Sequence, residues 1–191
     1  MAWPPYNTQA EFLNRNRAGH GNFLLAYSPS SGGAVHLYLS AEEMKPRAFI
    51  DGIPSGGVYV LVIRARGGER LIAGAWGTLG LLEGYYAYVG RAKRGLASRL
   101  ARHFRRDKKC SRWHIDYLLE NAEIEEAWVF PLQAGECDVA RSLEESGARR
   151  TGMRGFGATD CRCPGHLLYF GGAKPSPPAG VVTIVNRDSS P

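Results

Sequence analysis

Apolar and polar positions divide this chain into short hydrophobic runs separated by glycine-rich turns. Val58-Tyr59-Val60-Leu61-Val62-Ile63 is six apolar or aromatic positions without a polar break, bounded by Gly56-Gly57 and Gly67-Gly68. So short a run, rich in β-branched residues, predicts a strand buried on both faces. Gly67-Gly68 predicts a hairpin into Leu71-Ile72-Ala73, which would make the first two strands antiparallel. After a loop at Gly77-Thr78-Leu79-Gly80, Tyr85 to Val89 reads as a third strand ended by Gly90. From Leu96 the period changes. Leu96, Leu100 and Phe104 recur at every fourth position with Ala97 and Ala101 beside them, the stripe of an amphipathic helix. Arg99, Arg102, His103 and Arg106 fall on another sector. This helix is therefore expected to turn an apolar face to the sheet and a cationic edge to something else.

Downstream, Trp113 to Leu119 fits a helix or a strand equally well, and Ala127-Trp128-Val129-Phe130 before Pro131 reads as a strand. Glu136 to Ser146 predicts a helix closed by Gly147. Gly155-Phe156-Gly157 opens a loop that runs through Cys161 and Cys163 to a short strand at Leu167–Phe170. Upstream, Ala34 to Leu39 fits a strand, Ser40-Ala41-Glu42-Glu43 resembles a capping box, and Pro46 keeps any helix there short. Ser28 to Gly33 and Pro4-Pro5 suggest loops. The length of 191 residues suits one domain with extensions. The expected division is an N-terminal extension at 1–55, a folded domain at 56–170 and a Gly/Pro/Ser-rich tail at 171–191.

Composition narrows the setting. A hydrophobic content of 44% with four tryptophans is enough for a packed core. No run approaches the ~18 apolar residues of a membrane span, and the N-terminus lacks a basic-then-apolar leader. A soluble, cytoplasmic protein without a membrane partner is the expectation. Four irregularly spaced cysteines argue for reduced thiols rather than a disulfide framework. The net charge of +6 is concentrated: Arg91, Lys93, Arg94, Arg99, Arg102, Arg105, Arg106, Lys108, Lys109 and Arg112 stand within 22 positions against Asp107 alone. Such a cluster repels itself and favours an anionic neighbour such as a phosphate backbone; the plainer alternative is a solvated helix face.

Gly57-Val58-Tyr59, followed by Tyr88-Val89-Gly90 with Arg99 nine residues past that glycine and His103 four further on, resembles the GIY-YIG nuclease domain. The block from Gly57 to Phe170 is similar in particular to its Uri-type, endonuclease-like branch. The ordered features are Tyr-Val-Gly-Arg-Ala, Arg-Leu-Ala-Arg-His, Trp-His-Ile-Asp-Tyr-Leu-Leu, Gly-Glu-Cys and Gly-Phe-Gly-Ala-Thr-Asp-Cys-Arg-Cys-Pro-Gly-His-Leu. The resemblance implies a small α/β domain around a three-stranded, mostly antiparallel sheet flanked by helices. It also implies metal-dependent hydrolysis of a phosphodiester, with Mg2+ or Mn2+ as cofactor and nucleic acid, DNA before RNA, as partner. By position the two motif tyrosines fall on Tyr59 and Tyr88, the catalytic arginine on Arg99, the following histidine on His103 and the metal-binding glutamate on Glu136. Arg91 stands where this branch usually has a small residue.

The chemistry explains why such residues would be needed. Arg99 can donate to the non-bridging oxygens of a pentavalent phosphorus, where charge builds. Glu136 shares its helix's inward sector with Val139, Ala140 and Leu143, and one carboxylate with waters and phosphate oxygens is a normal magnesium set. A tyrosine, with an ordinary pKa of about 10, serves as a base only beside a cation. His103 can act as acid, base or phosphate donor. Arg91, Lys93, Arg94, Arg102, Arg106, Lys108 and Lys109 are candidates for contact with the nucleic-acid backbone. His114 and Asp116 could orient one another or the basic face; the plainer reading is a packed turn with a satisfied histidine. Two other readings stand beside the nuclease. One is a nucleic-acid-binding module of the same fold without turnover. The other is a zinc-stabilised interaction protein, with Cys161, Cys163 and His166 joined by Cys137 or Cys110.

Overall fold

The run at 58–63 becomes the middle of a sheet. The computed structural model describes residues 25–27, 35–39, 53–68, 70–72, 78–106, 113–130 and 133–186. Its strands in chain order are β1 (Leu25–Tyr27), β2 (Val35–Leu39), β3 (Gly57–Ala65), β4 (Arg70–Ile72), β5 (Thr78–Gly80), β6 (Gly84–Ala92), β7 (Ala122–Phe130), β8 (Arg149–Arg150), β9 (Leu167–Gly171) and β10 (Val182–Asn186). The helices are α1 (Leu96–Phe104) and α2 (His114–Leu118), both between β6 and β7, and α3 (Glu136–Glu145) between β7 and β8.

Eight strands form one sheet in the order β1-β2-β10-β7-β3-β6-β9-β8. The six from β10 to β8 are antiparallel throughout. β2 joins β10 in parallel, and β1 pairs antiparallel with β2. β3 lies between β6 and β7, and every one of its residues except Arg64 is buried. The period of two divides the strand between two cores. Tyr59, Leu61 and Ile63 face a cluster that holds Leu96, Leu100 and Phe104 of α1 with Ile115 and Leu118 of α2. Val58, Val60 and Val62 face Trp128 and the Val139, Ala140 and Leu143 stripe of α3. At roughly 1.5–3 kcal/mol for each fully buried aliphatic side chain, an uninterrupted apolar strand is stabilised most where both faces are covered. That places it at the centre. Among the described residues no helix is long and apolar enough to cross a membrane.

The structure corrects several expectations. The sheet is larger than three strands. Gly67 and Gly68 do turn the chain, both with positive φ, but β4 does not pair with β3. It pairs with β5 as a separate two-stranded ribbon, and β3 takes β6 as its antiparallel partner instead. Gly90 does not end the third strand, which continues to Ala92. The segment expected as a tail returns to the sheet as β10. Residues 113–119 resolve into the short helix α2, and β2, α1, α3 and β9 form within a residue or two of the expected bounds. Gly147 follows α3 with φ 105°, the left-handed position the sequence reserved for it. The proposed capping box at 40–43 and the loops at 4–5 and 28–33 lie outside the described residues.

Candidate active site

The two glycine–tyrosine tripeptides are explained by close approach. Tyr59 on β3 stands directly opposite Gly90 on β6, and its ring folds across that glycine. A Cβ at Gly90 would lie 2.5 Å from the Tyr59 Cζ and hydroxyl oxygen. A Cβ at Gly57 would lie 2.5 Å from the Phe130 carbonyl oxygen, where the end of β7 closes on β3. The third close approach is on the far wall, where a Cβ at Gly157 would meet the Tyr88 ring at 2.6 Å. Only glycine fits at these three contacts without displacing a neighbour, and Gly157 also has a positive φ of 70°.

Around this frame the side chains converge. The Tyr59 hydroxyl hydrogen-bonds His103 Nε2 at 2.9 Å in a buried setting. The Tyr59 and Tyr88 rings lie 6.4 Å apart, and His103 lies 5.5 Å from one and 6.5 Å from the other. Trp113 closes the cluster from α2, 5.4 Å from His103. The Arg99 guanidinium stacks 4.6 Å from the Trp113 ring centre, and the Arg102 guanidinium 4.1 Å from it. Arg102 also forks onto the fully buried Asp116 carboxylate at 2.8 and 2.7 Å, and that carboxylate accepts the Trp113 backbone N–H at 3.0 Å. On the far wall Phe156 meets Tyr88 edge-on at 6.0 Å, and the Gly157 N–H donates to His114 Nδ1 at 3.2 Å.

Electrostatics give these groups distinct states. Burial pushes the Tyr59 phenol up to about 12, although the charge and hydrogen bond of Arg99 pull the other way. Burial pushes Tyr88 still higher, with Tyr59 adding to the rise. Both tyrosines are therefore neutral phenols at neutral pH, and the cation at Arg99 does not turn either into a ready base. Burial also lowers His114, consistent with a neutral ring that accepts the Gly157 N–H. Glu136 is the first residue of α3 and half-buried. Although α3 packs on the opposite face from α1, the Glu136 charge acts on both phenols and lies in the fields of Arg91 and Arg99. Burial raises its carboxyl, and the like charge of Asp160 raises it further.

Tyr59, Tyr88 and His103 thus pack together with Arg99 stacked beside them on Trp113, whereas Glu136, on the helix of the opposite face, is linked to them through its charge. His103 is not on a solvated basic face: it is buried in the aromatic cluster. Arg102 is tied to Asp116 and stacked on Trp113, whereas Arg106 is mostly exposed and pairs with Glu123 at 2.9 Å on the surface. Arg91 near the end of β6 and Lys93 and Arg94 in the turn to α1 are exposed. Lys108 and Lys109 lie outside the described residues. Sequence reasoning gave Trp113 and Phe156 no role in the site, and their signals were the aromatic positions inside the Trp-His-Ile-Asp and Gly-Phe-Gly features. Asp116 meets the basic face, through Arg102.

A mostly antiparallel sheet with helices on both faces, carrying a buried tyrosine–histidine pair walled by aromatic rings and flanked by a stacked arginine, defines an α/β protein with a polar cluster at the β3–β6–α1 junction. The model of a family described as a domain of unknown function, DUF123, matches residues 58–185, from the second residue of β3 into β10. The chain belongs to that family. No curated protein and no solved structure matches it.

Proposed function

We propose that this protein is a metal-dependent endonuclease of the GIY-YIG type, in its Uri-type branch, hydrolysing phosphodiester bonds in DNA. The observation that carries the reading is the packing of Tyr59, Tyr88 and His103 from β3, β6 and α1 with Arg99 stacked beside them, within reach of the charge of Glu136 on α3. Arg99, stacked on Trp113, holds a fixed cation over the cleft for the non-bridging oxygens of the attacked phosphate. Tyr59, neutral and bonded to His103, orients the attacking water and passes its proton toward the imidazole rather than acting as a free phenolate. Glu136 suits a hard cation: its carboxyl is half-buried, and Asp160 opposes its ionisation as a second carboxylate does where a cation is needed between them. Mg2+ or Mn2+ held there would neutralise charge on the phosphate and its leaving oxygen.

The test is a nicking assay with Mg2+ or Mn2+ on plasmid, branched and single-stranded DNA, with RNA as a parallel substrate. Arg99→Ala should lower the rate by about 10²–10³-fold, and Glu136→Gln should abolish the response to metal. Cleavage unchanged in both variants rejects the reading. A second reading has its own observation. Burial holds both phenols neutral, so the cleft lacks a ready base, as a binding module without turnover would. Salt-sensitive DNA binding with no metal-dependent product on any of these substrates would establish it instead.

A further inference from the structure

We propose that Cys137, Cys161, Cys163 and His166 bind one Zn2+, a site separate from the cleft. The donor atoms of these four side chains all lie within 4.8 Å of one another. His166 Nε2 stands 3.6 Å from Cys161 Sγ and 3.8 Å from Cys137 Sγ. Tetrahedral zinc with bonds of about 2.3 Å to sulfur and about 2.0–2.1 Å to nitrogen requires S···N edges of roughly 3.6 Å and S···S edges of roughly 3.8 Å. The set therefore closes on the metal with shifts of an ångström or less. Three thiolates and an imidazole with no position left open match a structural zinc site rather than a catalytic one. The three thiols are free, with no disulfide competing for the sulfurs.

Two further features point to a ligand here. His166 is fully buried with Nε2 facing the Cys137 and Cys161 thiols, and its Nδ1 is buried without a hydrogen-bond partner. Ligation through Nε2 fixes the proton on Nδ1 and leaves that nitrogen as the donor to an outer partner. The Cys163 N–H already donates to Cys161 Sγ at 3.4 Å, the kind of bond that supports a metal-bound thiolate. The surrounding chain also needs a fastener. Residues 151–166 cross from β8 to β9 with no helix or strand, yet they bury Met153, Phe156, Ala158 and His166. A connection this long within a packed domain requires something besides a ladder to hold it.

The metal's consequence lies next door. Cys137 follows Glu136 in the first turn of α3, and Phe156 and Gly157 of the same loop wall Tyr88. Zinc at this cluster ties the first turn of α3 to that wall, so it holds Glu136 and Phe156 as positioning residues hold a site. The assignment does not depend on the nuclease reading.

The experiment is metal analysis of the full-length, reduced protein purified without chelator. One zinc per chain is expected, and cobalt substitution should give the visible bands of a tetrahedral thiolate site. Cys161→Ser/Cys163→Ser should lose the metal, whereas Cys110→Ser should keep it. Chelation should remove amide protection first at residues 153–166 and in the first turn of α3, before β3 and β6. If the double variant does not fold, wild-type stoichiometry and the cobalt spectrum still decide. Reduced wild-type protein that takes up no zinc on reconstitution, with its thiols freely reactive, overturns the proposal. Zinc bound but amide protection unchanged on its removal overturns the positioning role.

Discussion

Single residues carry most of the argument, and Glu136 carries the part most easily measured. Burial raises its carboxyl above the ordinary range, Asp160 adds to the rise, and Arg91 and Arg99 pull back by less. The folded chain then holds this proton more tightly than the unfolded chain. Stability is therefore highest where both states are protonated, falls as pH rises from the ordinary carboxylate pKa through the raised one, and stays at the lower level above it. Glu136→Gln cannot ionise, so at pH 7 and without added divalent cation it should melt at a higher temperature than the parent. The gap should close as pH falls below the ordinary carboxylate pKa. Added Mg2+ should raise the melting point of the parent and not of the variant. A variant that melts lower at pH 7 would mean that the carboxylate has a stabilising partner, and the cation argument would fail. Not every residue's purpose was legible at this scale. Tyr59 and Gly90 stand out in the sequence as fragments of two tripeptides 31 positions apart. That the glycine exists to admit the tyrosine ring follows only from the β3–β6 register.

Between elements, the α1–α2 corner depends on one buried carboxylate. Asp116 receives both Arg102 bonds and caps the backbone at Trp113, while Trp113 is covered by Arg99 and Arg102. Removing one partner of a buried pair costs about 3–5 kcal/mol. Arg102 keeps 26% of its side chain exposed and can recover some hydration. Asp116→Ala should therefore cost about 2–3 kcal/mol in urea unfolding, and Asp116→Asn, which can still cap Trp113, should cost less. A loss in Asp116→Ala too small to resolve would show that the corner is held by apolar packing alone. The elements also divide by how they announce themselves. α1 and α3 were legible because each buries a single stripe at helical spacing while its other sectors are polar. β7 was half legible: its apolar end stood out, but Glu123, Glu125 and Glu126 hid the rest. Those acids are matched from outside the strand, Glu123 by Arg106 and the other two by Lys174. β10 was missed because the glycines and prolines of 171–180 set the reading for all that followed. Yet Val181-Val182-Thr183-Ile184-Val185 is as β-branched as β3 and was visible in the chain. The β3–β4 hairpin failed for another reason. A glycine pair marks a turn but does not say which strand the chain will meet next, and here β6 outcompeted β4 with nine paired residues.

For the molecule as a whole, the net charge of +6 is unevenly placed. Within the basic segment, Arg102 is held by the buried Asp116, whereas Arg106 stays mostly exposed in its surface pair with Glu123. Arg91, Lys93 and Arg94 are exposed at the end of β6 that carries Gly90, the residue opposite Tyr59. Arg64 is also exposed, but it lies five residues along β3 from Tyr59, roughly 17 Å away at strand spacing, and bonds to Tyr85. If the cleft receives a nucleic-acid backbone, the first three should contact phosphate and Arg64 should not. Each phosphate contact contributes about 0.9 to the slope of log affinity against log salt on duplex DNA. The Arg91→Ala/Lys93→Ala/Arg94→Ala variant should therefore flatten that slope by about 2–3, with its fold intact because none of the three is buried. Arg64→Ala should leave the slope unchanged. Titrations over a range of salt concentrations, made without divalent cation so that no strand is cut, separate the two. Equal effects from both variants would mean that the protein attracts polyanions through its net charge, and the cleft would lose its claim to be where they bind.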